Sequence, residues 1–164
     1  MKPRFKTLEE KKLIGHQLKM SLTHNKTGQL WGGFAPKIKD ITNKVTSDKI
    51  SMQVYDNSFL QGFNPTTEFE KWATVEVTDF DNIPKGMETF TLIGGEYAVF
   101  DYKGSSTDGS IFQYIFRTWL PNSEYQLDDR PHFEVLGDKY KNNDPTSEEE
   151  IWIPIKKIEV SIKN

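Results

Sequence analysis

The chain has 164 residues, 35% hydrophobic and 13% aromatic, long enough for one domain whose core leans on aromatic rings. Its formal net charge of -3 gives it no electrostatic reason to coat nucleic acid or an anionic membrane. Cysteine is absent, which excludes disulfides, thiol catalysis and thiolate metal sites; no apolar run reaches membrane-spanning length and no N-terminal segment is of signal-peptide type, so the cytoplasm is the expected compartment.

The N-terminal basic residues Lys2, Arg4, Lys6, Lys11 and Lys12 are interrupted by Glu9 and Glu10 and read as a solvated end. Ile14, Leu18, Met20 and Leu22 then recur on one side, as a half-buried strand requires. Thr27 is placed to cap a helix whose stripe is Leu30, Phe34, Ile38 and Ile41. Gly32, Gly33 and Pro36 weaken its middle and predict a kink or a short turn. A second strand is predicted over 49–56, a loop over Asn57–Thr67, and a third strand over 69–79. A turn-rich joint, DNIPKG, follows.

The order then repeats. Residues 87–103 read as one long strand with a bulge at Gly94–Gly95. Asp108 precedes a helix with Ile111, Phe112, Ile115, Phe116, Trp119 and Leu120 on its stripe, and Pro121 stops it. Strands follow around 131–137 and 149–156. The expected fold is α+β: duplicated β-α-β-β units, with halves near 1–85 and 86–164, related by a pseudo-two-fold. One antiparallel sheet carries both helices on one face.

Subtracting the helix-facing rows leaves a second row. It holds Trp72, Thr74 and Glu76, with Tyr55 beside them, then His132, Glu134 and Leu136, then Glu150, Trp152 and Pro154. Aromatic walls around a carboxylate suit a flat or cationic organic ligand. The same aromatics also suit the filling of a curved sheet, or a contact between two copies.

The ordered segments LWGGFAPKI (30–38), GGEYAVFDYKG (94–104), FRTWLPNSEYQLDDRPHFEVL (116–136) and EIWIPIK (150–156) resemble the GyrI-like small-molecule-binding family, also called the AraC-type effector-binding domain. The resemblance runs over nearly the whole chain. It implies the duplicated fold, a pocket in the groove between the halves, and a buried glutamate that meets lipophilic cations amid aromatic rings. By motif that acid is Glu134. Trp152 matches an aromatic lining position, and Trp31 and Trp72 fall where first-half aromatics line the pocket. Many members carry a fused DNA-binding domain; this chain starts almost at its first strand, so it is not expected to contact nucleic acid directly.

Three functions follow as expectations. The first is a stand-alone binder of apolar or cationic organic molecules through Glu134, Trp152, Trp72, Tyr55 and Trp31. The second, implied by stand-alone relatives, is a hydrolase of cyclopropanoid-type electrophiles, with Glu134 orienting water and Tyr55 donating a hydrogen bond. The third, implied by the family's namesake, is an interaction with DNA gyrase. His16, His24 and His132 lack the spacing of a ligand set, so no metal or other cofactor is expected, and His16 reads as a core histidine with its hydrogen bonds met. An open sheet edge offers a place for two copies to pair.

Overall fold

The computed structural model describes residues 1–56 and 64–159, so most of the loop expected over Asn57–Thr67 lies outside the described residues. In chain order the elements are β1 (Arg4–Leu8), β2 (Lys11–Met20), α1 (Thr27–Phe34), β3 (Lys44–Val54), β4 (Phe69–Val77), β5 (Glu88–Leu92), β6 (Gly95–Lys103), α2 (Ser110–Tyr114), β7 (Tyr125–Leu127), β8 (His132–Leu136) and β9 (Glu148–Lys157). α1 tightens into a 3-10 turn over Ala35–Asp40, at Pro36. α2 widens into a π-helical turn over Ile115–Trp119, where Leu120 N–H reaches back to Ile115 O at 2.8 Å.

The sheet order is β1-β6-β9-β8-β3-β4-β2-β5, with β7 on β9, and every pairing is antiparallel. This order is a palindrome of the two halves. β2-α1-β3-β4 and β6-α2-β8-β9 are the repeated units, and they meet at the β3–β8 pair.

Two short links decide the sheet's shape. Glu9 and Glu10 join β1 to β2, and Ile93 and Gly94 join β5 to β6. Each pair of strands stands six steps apart in the order, about 29 Å in a flat sheet. Two residues between strand ends bridge at most about 11 Å. The sheet therefore curls until its ends meet. The inner face is filled by Leu8, Leu13, Ile50, Met52, Trp72, Leu92, Tyr97 and Phe133, drawn from both ends of the order. The outer face carries the helices. α1 covers Ile14, Ala73, Val75 and Val77; α2 covers Ala98, Phe100, Ile151, Ile153 and Ile155.

Several expectations are corrected here. The N-terminal end is not simply solvated, because Arg4–Leu8 form β1 on β6. Residues 87–103 are two strands that pair with different neighbours. The glycine pair is the break between them: Gly95 has φ 148°, and a side chain at Gly94 would strike the Leu8 carbonyl. Thr27 caps nothing; its own N–H bonds to Asn25 Oδ1 at 2.9 Å. Asp108 does accept at a helix start, from Ser110 N–H at 2.9 Å, and that bond holds its carboxyl below the usual range.

Candidate functional site

Register settles which side chains share a face, because directly paired residues on neighbouring strands point the same way. Trp72 pairs Met52, Met52 pairs Phe133, and Phe133 pairs Trp152. That row is the inner one. Ala73 pairs Ser51, Ser51 pairs Glu134, and Glu134 pairs Ile151. That row is the outer, helix-bearing one. Glu134 therefore does not stand beside Trp72, contrary to the sequence expectation. Tyr55 follows the outer row through Ser51 and Gln53.

Glu134 sits at the meeting of the two halves. Gln53 Nε2 donates to its Oε1 at 3.4 Å. Its Oε2 is buried and has no hydrogen-bond partner among the described residues. Burial raises the Glu134 carboxyl above its ordinary value, while the Lys71 charge and the Gln53 bond oppose that rise. The Tyr55 hydroxyl is pushed up by burial and then by Glu134. Its ring meets His132 edge-on at 4.9 Å and Phe69 at 5.1 Å. His132 is held down to about 3 by burial and by Arg130, so its imidazole is neutral at pH 7. α2 supplies Phe112 and Phe116, one turn apart, as the roof over these groups. The enclosed space is about 20 Å³, room for roughly one water.

A second acid borders the seam. Glu149 lies two residues before Ile151 on β9, on the same face as Glu134. Burial first, and then the Glu134 charge, push its carboxyl up to about 7, with Lys71 pulling the other way.

The structure thus brings Glu134, Tyr55 and part of Trp152 to one cavity wall, together with Gln53, Phe112 and Phe116. The Trp152 ring itself stacks on Phe133 at 5.1 Å, on the inner face. Trp72 and Trp31 do not line this cavity. Trp72 is 5% exposed, meets Phe90 edge-on at 5.2 Å and donates Nε1–H to Glu70 at 3.0 Å. Trp152 repeats that bond in the second half, to Glu150 at 3.1 Å. Trp31 packs on Phe34 at 5.9 Å. Sequence reasoning missed Gln53, Glu149 and Lys71. The period-2 offset from Tyr55 to Gln53 was the available signal for the first; nothing in the sequence marked the other two. Among the described residues no cluster of three or more metal-ligating groups occurs, and no helix is long and apolar enough to cross a membrane.

A curled, duplicated sheet with paired helices defines a fold class, and comparison with known proteins shows the same fold. The fold matches the structure of SAV2435 bound to tetraphenylphosphonium with a TM-score of 0.69 at 16% identity, covering 95% of this chain and 94% of that one. It also matches a hydrolase encoded by lin2189 from Listeria innocua, with a TM-score of 0.58 at 10% identity, over 94% and 92% of the two chains. In sequence it is 27% identical over 148 residues to the transcriptional regulator BrlR of Pseudomonas aeruginosa, covering 87% of this chain. It spans 51% of the length of that regulator. The family model for the GyrI-like small-molecule-binding domain matches residues 1–156. The chain belongs to that family.

Proposed function

We propose that the chain binds small apolar or cationic organic molecules at the seam between its halves. Glu134 would face the positive charge, and Tyr55, Phe112 and Phe116 would enclose the organic body. The observation that carries this reading is the buried Glu134 Oε2, which lacks a hydrogen-bond partner among the described residues. Such a group is costly unless something satisfies it, and a desolvated cation beside aromatic faces does so. The lipophilic cation bound to SAV2435 is chemistry of this kind. A ligand of that size exceeds the 20 Å³ now enclosed, so Phe112 and Phe116 must swing aside. The π-helical turn that carries Phe116 is the natural place for that adjustment.

Titration with tetraphenylphosphonium, followed by calorimetry and tryptophan fluorescence, tests the reading. Saturable binding is expected, with at least about tenfold weaker affinity in Glu134→Gln, a loss of roughly 1.4 kcal/mol. Binding unaffected by that substitution would sink the assignment of Glu134.

One observation favours a second reading. The cavity that Glu134 lines has the volume of a single water, and a carboxylate with a raised pKa is suited to general-base work. In that reading the water oxygen bonds to the electrophilic carbon of a strained ring and its proton passes to Glu134. The breaking ring bond keeps its electron pair and takes the proton in turn, while Tyr55 donates a hydrogen bond. Turnover of a cyclopropanoid substrate that disappears in Glu134→Gln is the expected result; binding without turnover would leave the chain a binder.

A further inference from the structure

Two carboxyls and one ammonium act on one another at the seam. Glu134 pairs Ile151 on β9, and Glu149 stands two residues before Ile151. The acids are therefore diagonal neighbours on the outer face, about 7–8 Å apart at the backbone. Lys71 on β4 pairs Gln53 on β3, so it points to the same face as the amide that donates to Glu134. Lys71 is half-buried. Among the described residues it closes no hydrogen bond or ion pair.

The Lys71 charge reaches both acids all the same, opposing the rise of each carboxyl. It does not offset them fully, since burial and then Glu134 still push Glu149 up to about 7. One ammonium against two carboxylates leaves the seam one positive charge short of neutral. Neighbouring groups do not supply that charge. Lys49 shares the face through its pairing with Leu136, but it is exposed and water screens it. His16 and His132 also lie on this face, and burial lowers both, so each is neutral at pH 7. His16 is not the core histidine with its hydrogen bonds met that the sequence suggests, because its buried Nε2 has no partner among the described residues.

Resting on the reading of the seam as a cation site, we infer that Lys71 sets the charge of the ligand. The seam takes an organic cation with one positive centre in preference to one with two. A single positive charge, together with Lys71, balances Glu134 and Glu149. A second leaves an uncompensated charge in buried surroundings, where it costs far more than in water. Lys71 does not line the cavity and leaves Glu134 Oε2 without a partner among the described residues. It therefore selects through its charge, as a fixed counter-ion, and not through contact.

N-methyl-4-phenylpyridinium and methyl viologen share a two-ring skeleton and carry one and two positive charges. Calorimetric titration of the whole chain with each, near pH 8 where Glu149 is ionised, tests the inference. The parent should prefer the singly charged probe by about tenfold or more. Lys71→Met should shrink that preference by about tenfold. Lys71→Arg keeps the charge and should keep the preference. Two charges are harder to desolvate than one in any site, so the change on removing the Lys71 charge is the deciding result.

An unchanged ratio in Lys71→Met would overturn the inference, as would a parent that binds both probes equally. Lys71→Gln gives the same comparison if the methionine variant does not fold. Glu134→Gln distinguishes a failure at Lys71 from a failure of the seam itself. Weaker binding of N-methyl-4-phenylpyridinium in that variant keeps the seam as the site whatever the ratio shows. Binding unchanged by it, or no binding of either probe to the parent, would remove the site and the role of Lys71 together.

Discussion

Gln53 and Glu134 face one another across the β3–β8 pair, with Gln53 Nε2 3.4 Å from Glu134 Oε1. The bond joins the first half of the chain to the second at the point where the repeat reverses. A donor on the ionised carboxylate favours ionisation. In Gln53→Leu the Glu134 pKa should therefore rise further. Carbon-13 NMR of the carboxyl group measures it; an unchanged or lowered value would show that Gln53 does not act on the acid.

The two seam acids make stability fall with rising pH on the acid side of neutrality. Glu149 is raised from 4.5 to about 7, and Glu134 is raised as well. A raised carboxyl contributes stability that is complete below its unfolded pKa and is lost as pH rises through the folded one. Melting temperature should therefore fall as pH rises from about 4.5 to 7, and fall less in Glu149→Gln. An equally steep fall in that variant would remove Glu149 as its cause.

His132 works at the other end of the scale. Its pKa drops from 6.5 to about 3, so its contribution is complete above about pH 6.5 and is lost as pH falls toward 3. Between pH 4.5 and 3 a variant such as His132→Phe should lose less of its own stability than the parent does, whatever its starting point. Parallel acid curves for the two proteins would contradict this.

Trp72 belongs to the inner core, and truncating it should act on stability first. Trp72→Ala is expected to cost about 3–5 kcal/mol in urea denaturation. The gentler Trp72→Phe should leave tetraphenylphosphonium affinity within about twofold, less than 0.5 kcal/mol. A large affinity loss in Trp72→Phe would return this residue to the pocket wall.

Arg130 is a buried tie from the β8 approach to β6 and β9. It bonds Asp128 at 2.7 Å, Glu96 O at 2.6 Å and Ile155 O at 3.1 Å, and lies 4.7 Å from the Tyr97 ring centre. Arg130→Met should cost about 2 kcal/mol, less than a fully buried pair because Asp128 keeps access to solvent. Gly95→Ala should destabilise by a comparable amount, since its φ is positive and its new Cβ meets the guanidinium. Denaturation midpoints equal to the parent's would refute both.

How much of this was legible beforehand differs from one residue to another. The period-2 rows of β4 and β9 separate Trp72 from Ala73 and Trp152 from Ile151 without a structure. The helix stripes of Leu30 and Phe34, and of Ile111 and Ile115, are equally plain, and all four side chains are buried against the sheet. β8 was ambiguous. In HFEVL, His132, Glu134 and Leu136 alternate with Phe133 and Val135, and either row passes for the core side.

The sequence by itself therefore determined the repeated β-α-β-β order and which residues alternate within each strand, but not β1 or the break between β5 and β6. Those are local properties of a pleated or helical backbone, and side-chain chemistry writes them directly. Only the tertiary structure decided that the sheet curls, because two-residue links bring distant strands together. Only register decided that Glu134 shares its face with Gln53 and Ile151 rather than with Trp72. A shift of one residue between strands turns every side chain to the opposite face, and no pattern within a single strand records that choice.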